Sequence, residues 1–153
     1  MTARHVATAS LLAFAGVAVA YLLFEEALPQ GTRTSPPPGL RPNRVDAYYF
    51  HGTARCLTCR ALEAYGEEAL RGGLSDALEE GSLVWRPTNV DLPENRHLLQ
   101  DFQLRFRSLV LVEVRDGQVG RWKNLEQIWQ LASDREACVS YIEEETRRFM
   151  ESL

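Results

Sequence analysis

Two cysteines three residues apart, in Cys56-Leu57-Thr58-Cys59, are the residues whose type and spacing point to chemistry. They follow an aromatic run, Tyr48-Tyr49-Phe50, and a short turn with Gly52, and they open a helical pattern. The first turn of a helix offers unpaired N–H groups and the positive end of the macrodipole. A sulfur held there is stabilised as thiolate, the reactive form. Arg55 and Arg60 flank the pair and push the same way. The second sulfur, one turn on, can close a disulfide with the first. The arrangement reads as a redox dithiol in which Cys56 attacks a partner disulfide and Cys59 resolves the mixed disulfide.

Other chemistries fit less well. Two thiolates are half of a zinc site, and His51, His97 or Cys138 would have to complete it. A soft ion such as copper or trivalent arsenic suits a bare dithiol better. A dithiol binding module for a soft metal or metalloid, or a redox-inactive adaptor, is therefore the alternative reading. Covalent c-type haem is excluded because Arg60, not His, follows Cys59. No Gly-rich phosphate loop or flavin fingerprint occurs, so no cofactor is expected. Cys138 lies at helical spacing with Tyr141 and Ile142 and reads as core packing. With three cysteines in all, no disulfide framework is implied.

The elements that must position the dithiol follow from periodicity. Val45–Phe50 reads as a buried strand and Leu57–Leu70 as a helix, with Leu57, Ala61, Ala64, Tyr65 and Ala69 as its apolar stripe. Gly72-Gly73 should stop that helix, and Ser75–Glu80 adds a turn. Leu83–Val90 reads as a second strand, but Pro87 cannot donate to a ladder, so the strand belongs at a sheet edge or carries a bulge. Pro93 sits in the first turn of a helix with Leu98, Leu99 and Phe102 on its apolar face. Leu109–Val114 is the strongest strand signal, and Asp116-Gly117 turns it into Val119–Trp122. Asn124-x-x-Gln127 and Ser133-x-x-Glu136 resemble capping boxes, the second starting a helix from about Asp134 to Phe149. Its Glu143–Glu145 run should lie largely in water. The fold class is α/β, β-α-β-α-β-β-α with a four-stranded mixed sheet, the first two connections being long enough for parallel pairing.

Residues 1–25 form an N-terminal transmembrane or signal helix, residues 26–44 a Pro-rich linker, and residues 45–153 the domain. Val6–Phe24 is nearly continuous apolar sequence, roughly 28 Å as a helix, close to the thickness of a bilayer core. Arg4 and His5 precede it and Glu25-Glu26 follow, which keeps the N-terminus cytoplasmic and exports the rest. Ala18-Val19-Ala20 has the form of a signal-peptidase site, so a cleaved leader and an exported soluble domain is the alternative to an anchor in the cell inner membrane. Five of the seven prolines fall between Pro29 and Pro42, a spacer of extended conformation. Four arginines against two glutamates before residue 45 give +2, so the overall −4 leaves −6 on residues 45–153. An acidic domain without basic clusters argues against a nucleic-acid partner.

The dithiol at a helix start, the strand before it and the Asp116-Gly117 hairpin before the last helix resemble the thioredoxin-like superfamily over residues 45–153. At finer grain the chain resembles a small bacterial family described as a nitrophenyl-compound nitroreductase subunit of arsenic-resistance operons. That resemblance rests on Tyr48-Tyr49-Phe50-His51-Gly52, the Cys56–Cys59 motif, Asn89-Val90-Asp91 with Pro93-Glu94-Asn95, Ser108-Leu109-Val110, and Trp122-Lys123-Asn124-Leu125-Glu126. The helix-start dithiol joined to the export segment makes an extracytoplasmic thiol–disulfide oxidoreductase acting on protein disulfides or dithiols the expectation, and because its electrons must cross the membrane, a membrane thiol-electron transporter is the expected partner. Without a flavin, the polypeptide would pass electrons rather than reduce a nitro group. The resemblance also places Arg55, Arg107 and Ser108 beside the substrate. Two departures stand out. Arg107-Ser108 occupies the place of the usual cis-proline, and Phe50 that of a buried acid, which Glu113 or His51 would have to replace.

Overall fold

The computed structural model describes residues 40–153; the expected anchor or leader and residues 26–39 of the linker lie outside the described residues. Within them, strands β1 (Arg44–His51), β2 (Leu83–Asn89), β3 (Leu109–Arg115) and β4 (Gln118–Asn124) form one mixed sheet in the order β2-β1-β3-β4. Helices α1 (Leu57–Gly73), α2 (Ser75–Glu79), α3 (Leu98–Asp101) and α4 (Arg135–Glu151) complete the α/β architecture. No helix among the described residues is long and apolar enough to cross a membrane.

Alternation along the central strands explains a core on each face of the sheet. Val45, Ala47 and Tyr49 of β1 and Leu109 and Leu111 of β3 pack with Leu62 and Leu70 of α1 and Ile142 and Phe149 of α4. Phe50, Val110 and Val112 point the other way, onto Val90 and Phe102 from the segment between β2 and β3. Strand β3 is thus buried on both sides, which is why it reads as an unbroken apolar run. Pro87 lies on the edge strand β2, opposite Tyr49, as a missing N–H requires. Asp116 (φ 50°) and Gly117 (φ 79°) both adopt the left-handed conformation that a two-residue hairpin turn needs.

Several expectations are corrected. The buried stripe of α1 is Leu62, Gly66, Ala69 and Leu70, whereas Leu57 and Ala64 are exposed. Gly66 caused the misreading, because it meets the sheet as a close-packing site rather than a gap. A Cβ there would lie 2.7 Å from the Trp85 ring and 3.1 Å from Leu109 Cδ1. Helix α1 runs through Gly72 and Gly73 and ends where the Leu74 N–H donates to the Leu70 carbonyl.

The second connection does not give parallel pairing. β1 and β2 are parallel, but β3 runs antiparallel to β1. The intervening segment holds only a 3-10 turn, Pro93–Asn95, and the single turn of α3, so it returns along the sheet without a full crossover helix. The cap of α4 is Asp134, whose carboxylate accepts the Ala137 N–H at 3.0 Å, rather than Ser133. Asn124 caps no helix; a 3-10 turn, Glu126–Trp129, follows it. The Glu143–Glu145 run is only partly solvated, because Glu145 pairs with Lys123 and Arg148, and Glu143 with Arg147.

Candidate functional site

The site is built at the end of β1. A parallel β-α-β unit delivers the chain from the C-terminal end of a central strand into the first turn of a helix. Here the turn Gly52–Arg55 carries it from β1 to α1. Cys56 is the N-cap residue of α1 in extended conformation, and its Sγ accepts the Cys59 N–H at 3.0 Å. Sulfur therefore does what a Ser or Asp oxygen does at most helix starts, taking an otherwise orphan amide. Cys56 and Cys59 are joined by a disulfide with their Cα atoms 5.1 Å apart. Cys56 is exposed and Cys59 is half-buried. The reachable sulfur is thus the one that the helix terminus stabilises.

Tyr49, inside the core from β1, donates its hydroxyl to the Cys59 carbonyl at 2.6 Å and so ties the first turn of α1 to the sheet. Burial pushes its phenol up to about 12, with Arg55 opposing that shift. A second set of contacts fixes the turn before Cys56. Asp91, just after β2, accepts the Thr53 N–H at 2.8 Å and an Arg107 N–H at 2.9 Å. Those two bonds hold its carboxyl below the usual carboxylate range. Asn89 adds a bond to the Thr53 hydroxyl at 3.1 Å. Gly52 is glycine because the Arg107 guanidinium lies against it; a Cβ there would also come within 2.7 Å of Asp91 Oδ2.

The expected docking residues divide. Arg107 and Ser108 do come to the dithiol end. Ser108 is buried, and its carbonyl accepts the Phe50 N–H at 2.9 Å. No peptide bond among the described residues is cis, so Arg107-Ser108 takes its place in trans form. Arg55 instead turns back along α1 and pairs with Glu63. Its charge is shared with a carboxylate, not offered outright to Cys56. Of the candidates for the absent acid, Glu113 does not serve. It pairs with Arg115 and Arg121 and lies opposite Val45, at the far end of the strand, roughly 20 Å from His51 by strand rise. His51 sits at the right end, stacked on Tyr49, with Nδ1 3.0 Å from the Gly52 carbonyl.

Sequence reasoning missed the contacts that Tyr49 makes with the Cys59 carbonyl, Glu63 with Arg55 and Asp91 with Thr53 beside the dithiol. It also missed a pair of exposed aromatics. Phe106 is 73% exposed and Trp129 36%, and Trp129 Nε1 donates to the Arg107 carbonyl at 2.8 Å. These rings border two clefts, one of about 340 Å³ that reaches Cys59 and one of about 420 Å³ over Ser108 and Asn124. Their exposure is a property of the fold, for which the sequence alone carried no signal. Cys138 is fully buried, as expected, and burial pushes its thiol up to about 11. No cluster of three or more His, Cys, Asp or Glu groups placed to hold a metal occurs among the described residues.

This arrangement is compatible with thiol–disulfide redox chemistry: an accessible sulfur at a helix N-terminus with a shielded partner one turn behind. Comparison of the chain with family models and with curated proteins finds no match.

Proposed function

We propose that the chain is a thioredoxin-like thiol–disulfide oxidoreductase working outside the cytoplasm, tethered to the membrane by residues 6–24. The observation that carries this reading is the Cys56 sulfur serving as the N-cap of α1, exposed, with half-buried Cys59 bonded to it. The strand order, with β1 parallel to β2 and antiparallel to β3, supports a thioredoxin-like assignment. The apolar segment and the Pro-rich spacer support the tether.

In the reduced protein the Cys56 thiolate attacks one sulfur of a partner disulfide. That bond breaks, a mixed disulfide forms, and the departing partner sulfur takes a proton. Cys59, losing its own proton, then attacks Cys56 Sγ; the intramolecular disulfide closes and the second partner thiol leaves. Two electrons have passed to the partner, and the reverse sequence oxidises a dithiol. Arg107, Ser108, Phe106 and Trp129 border the clefts where a partner segment would lie. A membrane thiol-electron transporter would regenerate the dithiol. Within a nitroaromatic or arsenic-resistance system, the chain would be the electron-passing subunit.

The test is acid quenching and thiol trapping in intact cells. Cys59→Ser should accumulate mixed disulfides, and Cys56→Ser should accumulate none and lose turnover. Disulfide exchange at the wild-type rate in Cys56→Ser would overturn the proposal. Mass analysis of the trapped band shows whether residues 1–25 remain.

A further inference from the structure

Arg55 immediately precedes the sulfur that caps α1, and its guanidinium is paired with Glu63. Both side chains are about three-quarters buried, so solvent screens the pair less than it would a surface pair. Arg55 Nε, Arg55 Nη2 and Glu63 Oε2 are buried and make no hydrogen bond, so the ion pair is what their charges have among the described residues. Glu63 follows Cys59 by four residues and Cys56 by seven, which puts it on the helix face that carries both sulfurs. It stands roughly 10 Å up the axis from Cys56. The Arg55 cation also acts on the Tyr49 hydroxyl, which is bonded to the Cys59 carbonyl.

We infer that Glu63 is a positioning residue that draws the Arg55 guanidinium back along α1 and so limits how strongly the Cys56 thiolate is stabilised. The inference rests on the dithiol reading above and adds what sets its reactivity. Loss of Glu63 would leave an uncompensated cation beside Cys56. Loss of Arg55 would remove the cation on which Glu63 acts. The two changes must therefore move the sulfur in opposite directions. Tyr49, His51, Arg60, Asp91, Arg105 and Arg107 also carry titratable or charged groups at this end of the domain, and all stay unchanged in the comparison.

The experiment uses the reduced full-length chain in mild detergent and follows iodoacetamide labelling of Cys56 against pH, assigned by peptide mass. In Glu63→Gln the labelling midpoint should fall by about 0.5–1 pH unit, as the released Arg55 guanidinium moves closer to the sulfur. Labelling below the midpoint then speeds up about 3–10-fold. Arg55→Gln should raise the midpoint by a similar amount, and Arg55→Lys should hold it near wild type. In the Arg55→Gln background, Glu63→Gln should lower the midpoint by less than half as much as it does alone. An unmoved midpoint in Glu63→Gln overturns the inference. An equal shift in both backgrounds also overturns it, because Glu63 would then act by its own field and not through Arg55. If Glu63→Gln does not fold, as judged by far-UV circular dichroism, the arginine pair decides: identical midpoints for Arg55→Lys and Arg55→Gln overturn the inference. Glutathione exchange is read separately. A wild-type dithiol inert to glutathione sinks the oxidoreductase proposal and leaves the labelling shifts to judge this one.

Discussion

Replacing Tyr49 by Phe removes one oxygen from the joint between the sheet and the dithiol helix. The ring stays in a site that is 1% exposed, so packing is preserved and only the 2.6 Å bond to the Cys59 carbonyl is lost. That carbonyl keeps the intrahelical bond from the amide four residues on, so it is not left orphaned. The cost is then that of a single neutral hydrogen bond, about 0.5–1.5 kcal/mol. For a domain of this size, 1 kcal/mol lowers the melting temperature by about 4 °C. Both redox states contain the same carbonyl, so the loss should appear in the oxidised and the reduced protein alike, and the reduction potential should move little. The variant also has an alkaline signature. The Tyr49 phenol is raised from 10.0 to about 12 in the fold, so its neutral form is favoured there. A raised value contributes stability that is present below pH 10 and is lost as pH climbs toward 12. Tyr49→Phe should therefore melt lower at neutral pH yet lose less stability between pH 10 and 12. The assay is a set of thermal melts by far-UV circular dichroism, with and without reductant, across that range. An unchanged melting temperature in both redox states, together with an unaltered alkaline limb, would refute the reasoning.

Three further outcomes are expected. The Cys138 thiol, fully buried and raised to about 11, should resist iodoacetamide at pH 8. Mass spectrometry should then find two labels on the reduced native protein and three after denaturation. Asp91→Asn keeps the side-chain shape but weakens the bonds to Thr53 and Arg107, and should speed proteolysis of the Gly52–Arg55 turn about twofold or more. Because the Asp91 carboxyl is held low, the support it gives is present above the ordinary carboxylate range and fades as pH falls through its folded value. Asp91→Asn should therefore flatten the acid limb of stability, as read by melts between pH 5 and 2.

What was legible in the sequence was whatever neighbours in sequence decide. The helix-start dithiol, the edge position forced by Pro87 and the Asp116-Gly117 turn each depend on a few adjacent residues, and each stands in the structure. What was not legible depends on partners far along the chain. Gly66 had no place in the expected apolar stripe, because what buries it is the Trp85 ring reaching it from β2. Arg55 read as a push on Cys56 because Glu63, eight residues on, was not considered as its partner. The direction of β3 was misjudged because the length of a connection bounds where it ends without saying which way the next strand runs. Asp91 and Arg107, sixteen residues apart, meet over Gly52 only once β2 and β3 flank β1.

The two outer strands of the sheet have a consequence for behaviour in crowded surroundings. On β2 the proline interrupts the row of donors that an incoming strand would need. On β4, Arg121 and Lys123 are engaged with Glu113 and Glu145, so ionic groups line the opposite margin. Neither margin invites another copy to extend the ladder. Molecules packed closely together should stay separate rather than zip into fibrils.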